Sequence, residues 1–277
     1  MNSEPSRWQV AAASVTGAGH LADGAACQDA YRWRVTERGE LIIAVCDGMG
    51  SSKQGGEAAR FVADGLCESE AIDLWLAGPQ SEELWRVAAQ SLFHAVREGL
   101  QAFALSTAPD LTFADFACTA QLAVVAESML WVAHVGDGRA AARTSAGEWI
   151  PLFVPDRGEF VNETVPLSAS IPFDAEYWRG HTTCLSARVD AVAMMTDGCE
   201  NTAFECYVPD DGGRLHDPNR PFPGFFNPVA QTLRSFSDRG ISQDELDAKW
   251  ESFLREGLPR FAVESDDRTM VFGVRVP

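Results

Sequence analysis

The sequence predicts a mixed α+β protein with antiparallel strands. Short runs rich in valine, alanine and aromatic residues recur along the chain, as is typical of strands. Two of these runs, 118–126 and 129–135, meet at Glu127-Ser128. Two residues are enough for an antiparallel hairpin but too few for a parallel crossover. Segments with apolar residues at helical spacing lie between the strand-like runs.

The predicted strands follow one another from the amino-terminal region to the end of the chain. They cover residues 8–15, 30–35, 41–46, 118–126, 129–135, 138–144, 189–195 and 269–275. The strand that begins at 138 follows the predicted hairpin almost directly, so the sequence predicts a meander there.

The first two predicted helices lie between the third and fourth predicted strands. Ala58, Val62 and Leu66 recur at helical spacing after a cluster of glycines. A longer apolar stripe runs from Leu84 to Phe103 and follows Pro79 and Ser81, which are typical of a helix start.

Two further helices are predicted near the carboxyl terminus. Asn227-Pro228 has the pattern of an N-cap with proline at the first helical position. Ser242 with Glu245 has the spacing of a capping box, and Gly257 marks the end of that helix.

The stretches 148–186 and 203–224 are rich in proline, glycine and aromatic residues without clear periodicity. We expect them to be long excursions near a functional face. The sequence has no internal repeat, low-complexity tract or linker, and we interpret residues 1–277 as one domain.

Composition excludes several classes of function. Forty acidic residues against 22 basic ones give a net charge of −18, which repels nucleic-acid phosphates and anionic membranes and attracts divalent cations. No apolar run approaches the roughly 20 residues needed to span a bilayer, and the amino terminus does not resemble a secretory signal. The seven cysteines lack C-x-x-C spacing, which is typical of buried, reduced thiols. We expect a soluble, cytoplasmic protein.

Five aspartate motifs occur in order along the chain. They read CQDAY around Asp29, VCDGMG around Asp47, HVGDGR around Asp137, MTDG around Asp197 and SDDRT around Asp266. A lone Asp-Gly pair usually marks a turn. Two such pairs that each follow an apolar strand, accompanied by further aspartates, instead favour a site for Mg²⁺ or Mn²⁺, which prefer oxygen ligands.

Other motifs are weaker. GAGHLA, from Gly17, fits the dinucleotide fingerprint G-x-G-x-x-G/A, but no amphipathic helix follows, so we interpret the match as chance. Lys53 is followed by Gln54, so GMGSSK is not a phosphate-binding P-loop. The five histidines lack metal-ligand spacing, and His94 and His134 are interpreted as structural.

Taken together, the aspartate motifs resemble those of the metal-dependent serine/threonine protein phosphatases of type 2C, in their bacterial form. VCDGMG resembles the family's V-x-D-G-M/H-G, CTAQLAVV its G-T-T-L strand, and HVGDGR its V-G-D-S-R turn. MTDG resembles the S-D-G turn, and SDDRTMV the closing D-N/D-x-T strand. CQDAY, preceded by VTGAGH, and GEFVNETVPL are similar to a bacterial subgroup. The likeness covers nearly the whole chain.

The resemblance implies a four-layer α-β-β-α sandwich, with two central antiparallel β-sheets flanked by helices. It implies two manganese or magnesium ions at one end of the sandwich. Asp47 would bridge both ions, and the carbonyl of Gly48 would complete one coordination shell. Asp197 and Asp266 would ligate the other ion, and Asp29 would hold a metal-bound water. Asp115 is a candidate for the third ion of bacterial relatives.

The implied function is hydrolysis of phosphoserine and phosphothreonine in proteins by a hydroxide shared between the ions. Asp47, Asp197 and Asp29 are the residues expected to carry the chemistry. The implied partner is a phosphorylated protein, the substrate of a serine/threonine kinase.

Departures from the family pattern affect phosphate binding more than metal binding. Gly24 stands where the family places an arginine that grips phosphate. His20, Arg32 and Arg34 are candidate substitutes, and the sequence does not decide among them. The missing arginine keeps open an alternative, a catalytically idle metal-binding regulatory module of the same fold. A nucleotide-cofactor enzyme is disfavoured because the first hundred residues lack parallel β-α-β alternation.

Overall fold

Runs of strands and runs of helices follow one another along the chain, in a computed structural model that describes residues 7–156, 164–170, 174–209 and 212–276. The strands are β1 Arg7–Val15, β2 Ala30–Val35, β3 Leu41–Cys46, β4 Ala120–Val125, β5 Leu130–Val135, β6 Arg139–Thr144, β7 Trp149–Pro151, β8 Thr182–Leu185, β9 Val189–Met195, β10 Phe204–Glu205, β11 Val208–Pro209, β12 Leu215–His216, β13 Arg220–Pro221 and β14 Arg268–Val276. The helices are α1 Ala18–Asp23, α2 Gly55–Cys67, α3 Glu70–Ala77, α4 Glu82–Thr107, α5 Ala175–His181, α6 Glu200–Ala203, α7 Pro223–Asp238, α8 Gln243–Glu256 and α9 Pro259–Ala262. Short 3-10 helices span Phe113–Phe116 and Asp197–Cys199.

Two five-stranded antiparallel sheets form the centre of the molecule. One has the order β2-β3-β4-β5-β8 and the other the order β1-β14-β9-β6-β7. Short ribbons β10-β13 and β11-β12 lie outside them. The predicted α+β class, with two antiparallel sheets flanked by helices, is therefore confirmed.

Three hydrophobic layers explain why the sheets pack as they do. Alternate residues of a strand face opposite sides of a sheet. In β3, Ile42 and Ala44 pack under α2 and α4, whereas Leu41 and Ile43 face the opposite sheet. The second sheet packs its outer face against α7, α8 and α9 in the same way. All six residues of β3 are buried because both of its faces are covered.

The predicted hairpin is confirmed, but the predicted meander is wrong. β4 and β5 pair in antiparallel register, and the amide of Ala126 donates to the carbonyl of Met129 across the turn. β6 leaves this sheet and pairs with β7 and β9 in the other one. Gly136 has φ +105°, a conformation that favours glycine, and turns the chain across the sandwich. A short connection can therefore join two packed sheets as well as two neighbouring strands.

The amino-terminal helix predictions are confirmed. α2 contains the predicted face of small apolar residues after the glycine cluster. α4 begins after Ser81, whose hydroxyl accepts a hydrogen bond from the amide of Leu84. This N-cap satisfies one of the donors that a helix start leaves unpaired.

Near the carboxyl terminus, one helix start is correct and one is wrong. Ser242 caps α8 by accepting from the amide of Glu245, and Gly257 follows its last residue. α7 begins at Pro223 rather than after Asn227, so Pro228 lies inside the helix. The side-chain oxygen of Asn227 accepts from Trp149 Nε1 and so fixes a tertiary contact instead of capping the helix.

The two excursions contain more regular structure than the sequence predicts. Residues 148–186 include α5 and the edge strand β8, which pairs with β5. Residues 203–224 form the short ribbons β10–β13. Residues 158–163 of the GEFVNETVPL motif lie outside the described residues. No helix within the described ranges has the length and apolar character needed to cross a membrane.

Candidate active site

Antiparallel pairing brings the first two motif aspartates to one end of the sandwich. Asp29 immediately precedes β2 and Asp47 immediately follows β3. Ala30 pairs with Cys46 in the β2-β3 register, so the start of one strand lies beside the end of the other. This juxtaposition follows from antiparallel geometry, in which neighbouring strands run in opposite directions.

The second sheet delivers two more carboxylates in the same way. Asp197 follows β9 and Asp266 lies just before β14. Met195 and Met270 are paired in the β9-β14 register. The carboxylates of both sheets interact, since Asp47 and Asp197 each influence the pKa of the other. Four residues distant in sequence therefore form one cluster.

Burial and mutual repulsion raise the pKa values of these carboxyl groups. Burial, together with the charges of Asp29, Asp266 and Asp137, raises the pKa of Asp47 well above its usual range. Burial and the charges of Asp47, Asp137 and Asp266 do the same to the pKa of Asp197. Clustered carboxylates need a positive charge to stay ionised together.

Asp29 is the most deeply placed member of the cluster, with 5% of its surface exposed. Its Oδ2 accepts a hydrogen bond of 2.8 Å from the hydroxyl of Thr196. Burial nonetheless raises the pKa of Asp29 well above its usual range, against the lowering effect of hydrogen bonds from Thr196 and Thr269. Thr196 stands one residue before Asp197, so one strand end positions two of the acids.

Thr119 holds the backbone of Asp47 in place. The amide of Asp47 donates to Thr119 Oγ1 at 2.9 Å, and the amide of Thr119 donates to the carbonyl of Asp47 at 2.8 Å. The CTAQ motif thus anchors the turn after β3. The sequence motif marks Thr119 without revealing this role.

The glycines after Asp47 and Asp197 allow close backbone packing. A Cβ on Gly48 would lie 2.4 Å from the carbonyl carbon of Gly55, and a Cβ on Gly198 would lie 2.0 Å from the carbonyl oxygen of Asp267. Such approaches exclude any side chain. The Asp-Gly pairs are therefore points where the site's backbone segments meet.

Asp137 belongs to the cluster, and Asp115 has other partners. Asp137 contributes to the raised pKa values of Asp47 and Asp197, and burial raises its own pKa. The carboxylate of Asp115 accepts from the amide and hydroxyl of Thr112 in a capping box and lies 3.1 Å from Lys53 Nζ. Those contacts lower the pKa of Asp115. The family resemblance makes Asp115 a candidate for a third ion and gives Asp137 no ligand role.

Asp267 is a buried residue that holds backbone segments beside the site together. It is 2% exposed. Its Oδ1 accepts from the amide of Gly17 at 2.7 Å, and its Oδ2 accepts from the amide of Gln28 at 2.6 Å. Its carboxylate therefore ties the segments after β1 and before β2 to the start of β14.

Of the three candidate phosphate-gripping residues, the two arginines have partners on helices. Arg32 pairs with Asp64 of α2. Arg34 pairs with Asp73 of α3 and donates to the carbonyl of Cys67. His20 instead lies beside the site, with its Nδ1 2.9 Å from Asp267 Oδ1. Its Nε2 is directed towards Gly50, where it would lie 3.8 Å from an added Cβ.

The GAGHLA segment also has a packing role. A Cβ on Gly17 would lie 2.3 Å from the carbonyl carbon of Asp266, and the amide of Gly19 donates to the carbonyl of Ser265. The preceding strand, β1, is antiparallel to β14, so no β-α-β unit follows. The glycines let α1 approach the closing strand, and the interpretation of the fingerprint as chance agrees with this packing.

The cysteines beside the key aspartates are packed into the core. Cys46 and Cys199 are both fully buried. Burial and neighbouring carboxylates raise the pKa of the Cys199 thiol, and burial raises that of Cys46. Since the thiolate is the reactive form, burial and a raised pKa favour the unreactive thiol at both positions.

The cluster fits divalent cations. Asp29 Oδ1 and Asp197 Oδ1 are buried and have no hydrogen-bond partner within the described ranges. Buried polar atoms in proteins are normally satisfied, and several carboxylates gathered in one cluster provide the oxygen ligands that Mg²⁺ and Mn²⁺ prefer. The residues present therefore suit such ions.

Comparison with known proteins identifies the family. A family model described as protein phosphatase 2C matches residues 16–251. The chain is 28% identical over 276 residues to serine/threonine-protein phosphatase 3 of Escherichia coli strain K12, covering 96% of this chain and 98% of that protein.

Solved structures share the fold. The serine/threonine phosphatase Stp1 of Staphylococcus aureus has a TM-score of 0.58 at 14% identity, over 97% of this chain and 95% of Stp1. The catalytic domain of the phosphatase PstP, solved with two manganese ions, has a TM-score of 0.55 at 17% identity, over 98% of this chain and 99% of that chain. RsbX, solved with magnesium, has a TM-score of 0.53 at 16% identity, over 99% and 98%.

The family match covers most of the chain and the curated relative nearly all of it. The chain therefore belongs to the protein phosphatase 2C family. It is a phosphoprotein phosphatase, as the resemblance of its motifs predicts.

Proposed function

We propose that the chain, as one catalytic domain spanning residues 1–277, hydrolyses phosphoserine and phosphothreonine in proteins with divalent metal ions as cofactors. The observation that carries this proposal is the cluster of aspartates with raised pKa values and unpartnered buried oxygens. The manganese of the PstP structure and the magnesium of the RsbX structure support these two ions as candidates.

The proposed ligands are Asp47, Asp197, Asp266 and the carbonyl of Gly48, with Asp29 hydrogen-bonding to water in the site. Asp137 is a further candidate because it adds to the same cluster. We propose two ions, with a third at Asp137 rather than Asp115, whose carboxylate is engaged by Thr112 and Lys53.

When bound, the ions supply a nucleophilic water near neutral pH and neutralise charge on the phosphoryl group. The residues of the chain hold the aspartates in position. Thr119 fixes the backbone of Asp47, and Thr196 orients Asp29. Thr119 immediately precedes β4 and Thr196 immediately follows β9, so the acids are held at strand ends of both sheets. Preorganised charge of this kind is a large component of enzymatic catalysis.

We further propose that the protein acts in the cytoplasm on the products of a serine/threonine kinase. The seven cysteines, all within the described residues, are thiols rather than disulfides, which suits a reducing compartment. The surplus of acidic residues suits basic protein segments as substrates better than polyanions.

Removal of metal tests the proposed chemistry. After thorough chelation, we expect the purified protein to hydrolyse neither an aryl phosphate nor a phosphothreonine peptide, and we expect Mn²⁺ or Mg²⁺ to restore both activities. We also expect the ions to raise the melting temperature, since a ligand at 100 times its Kd stabilises by about 2.7 kcal/mol.

The two readouts separate the proposal from an idle metal-binding module. That module would gain thermal stability with metal and hydrolyse nothing. Turnover that survives chelation would contradict the proposed metal chemistry outright.

We propose that His20 replaces the missing arginine in binding phosphate. Arg32 and Arg34 are occupied by acids on the helices, whereas His20 Nε2 lies near Gly50, close to the turn after Asp47. We expect His20→Gln to weaken competitive inhibition by inorganic phosphate about tenfold, the value of one charge-assisted hydrogen bond.

Arg32→Gln is the matched control and should leave phosphate inhibition unchanged. Inhibition constants measured at saturating Mn²⁺ separate phosphate binding from metal binding. If Arg32→Gln weakened inhibition and His20→Gln did not, the arginine would be the phosphate ligand.

A further inference from the structure

Two histidines and an aspartate form a second cluster outside the aspartate site. His134 lies on β5, Asp156 follows β7, and His181 ends α5. One ring nitrogen from each histidine and one carboxylate oxygen of Asp156 lie within 4.8 Å of one another. His134 is 1% exposed, and the other two are partly exposed. The sequence spacing gives no sign of this group.

The hydrogen bonds around His134 define its protonation. Its Nε2 lies 3.2 Å from the carbonyl oxygen of Val154. A carbonyl can only accept, so Nε2 carries the proton and Nδ1 carries a lone pair. Nδ1 is buried and makes no hydrogen bond of good geometry in the described part of the chain, although the backbone of His181 lies close enough to the ring to influence its pKa. Burial lowers the pKa of His134 to about 4, so the ring is neutral at physiological pH.

His181 has a hydrogen-bond acceptor at each ring nitrogen, and although burial lowers its pKa, the hydrogen bond to Asp156 raises it overall; a metal ion would take the place of the proton on Nε2. Its Nδ1 lies 2.6 Å from the carbonyl oxygen of Tyr177, which fixes the proton on that nitrogen. Its Nε2 lies 2.6 Å from Asp156 Oδ1. Metal-binding histidines usually donate their second N–H to a carbonyl or a carboxylate in this manner.

Surrounding groups hold all three side chains in place. Asp156 Oδ2 accepts from the amide of Gly136 at 2.9 Å and from the hydroxyl of Tyr177 at 3.2 Å, which leaves Oδ1 directed at His181. The His134 ring stacks on Phe153 with centroids 4.0 Å apart, and the His181 ring stacks on Tyr177 at 3.6 Å. The cluster is therefore preorganised.

We propose that His134, His181 and Asp156 bind one zinc ion, with a water completing four-coordination. Two imidazoles and a carboxylate favour zinc over magnesium, which prefers oxygen ligands. Tetrahedral zinc with bonds of about 2.1 Å needs ligand atoms about 3.4 Å apart. The observed distances between the ligand atoms, from 2.6 Å to at most 4.8 Å, bracket this value.

A zinc ion here would join β5, the segment after β7 and α5. Asp156 also contacts the amide of Gly136, the residue before Asp137 of the aspartate cluster. Zinc would therefore brace the crossover that carries Asp137 without replacing the catalytic ions. This site goes beyond the proposed phosphatase activity, and its test does not depend on that activity.

The test measures metal binding by the full-length protein after chelation, with excess Mg²⁺ present to occupy the aspartate site. Calorimetric titration with Zn²⁺ should show one tight site in the wild type. His181→Gln and Asp156→Asn should each weaken that site at least about 100-fold, since even supporting residues of metal sites contribute 10–100-fold. His216→Gln, on an exposed short strand, is the matched control and should bind like the wild type.

A second experiment, by spectroscopy, identifies the metal ligands. Cu²⁺ in place of zinc should show electron paramagnetic resonance splitting from two imidazole nitrogens, and His181→Gln should reduce it to one. Circular dichroism of the metal-free variants checks that they fold. Equal zinc affinity in wild type and His181→Gln would overturn the proposal. So would nitrogen NMR showing both nitrogens of His181 protonated at equimolar zinc, because the cluster would then be an imidazolium–carboxylate pair.

Discussion

Asp47→Asn and Asp197→Asn are each expected to lower the turnover number about 1000-fold or more. Either change keeps the shape of the side chain and removes one negative charge from the cluster that we propose binds the ions. A bound metal contributes several kcal/mol of transition-state stabilisation, and each 1.36 kcal/mol corresponds to a factor of ten in rate. Steady-state hydrolysis of a phosphothreonine peptide at saturating Mn²⁺ measures the loss.

The same substitutions should stabilise the metal-free protein. The pKa values of Asp47 and Asp197 lie well above their usual value of 3.8 in the folded state. The folded protein therefore binds these protons more tightly than the unfolded chain, and its free energy of unfolding falls as the pH rises above about 4. Asparagine cannot ionise, so its variants do not lose this stability as the pH rises. The variants should melt above the metal-free wild type at pH 7, with a difference that shrinks towards pH 4.

Asp64→Asn provides the matched control. Asp64 is an exposed carboxylate on α2 that pairs with Arg32, and its loss should leave both the rate and the metal-dependent melting unchanged. Near wild-type turnover in both Asp47→Asn and Asp197→Asn would show that the proposed ligand assignment is wrong.

The strands could be predicted from the sequence because most of them are short apolar runs with clear ends. The run LIIAVC of β3 is buried on both faces. Its apolar pattern shows where the strand begins and ends but does not show which strands pair with it. Sheet membership was harder to predict. The short glycine-containing turn at Gly136 joins β5 and β6, which lie in different sheets. A turn of the same length and composition can equally join neighbouring strands of one sheet.

Local signals also failed where a tertiary contact competed with them. Asn227-Pro228 has good helix-start chemistry, yet Asn227 binds Trp149 and α7 starts at Pro223. β8 is only four residues long and is held by pairing with β5. Its stability comes from a neighbour distant in sequence, which a local pattern cannot reveal.

In the candidate site, the sequence signal is clearest for residues at strand ends and weakest for residues on loops. Asp29, Asp47, Asp197 and Asp266 come together because antiparallel registers place their strand ends at one edge. Asp115 lies on a short 3-10 helix, where its side chain turns back to cap that helix. The His134 cluster depends on α5 and the segment after β7, whose positions no sequence spacing encodes.

The closing motif supplies the last prediction, which separates Asp266 from Asp267. Successive side chains near a strand point in opposite directions. Asp266 is exposed at the cluster and raises the pKa of Asp47, whereas Asp267 is buried and accepts from the amides of Gly17 and Gln28. Asp266→Ala should weaken Mn²⁺ binding at least about 100-fold and reduce turnover severely, because a metal ligand contributes more than its supporting residues.

Asp267→Asn should have a mild effect on rate and a larger one on stability. Asparagine replaces one of the two accepting oxygens with an NH2 group, so one of the two backbone amides would be left unpaired at a cost of about 1–3 kcal/mol. Calorimetric titration of Mn²⁺ into both variants, with phosphatase assays and thermal melts, distinguishes the two roles. If Asp267→Asn lost metal binding and Asp266→Ala kept it, the register of the closing motif would be shifted by one residue.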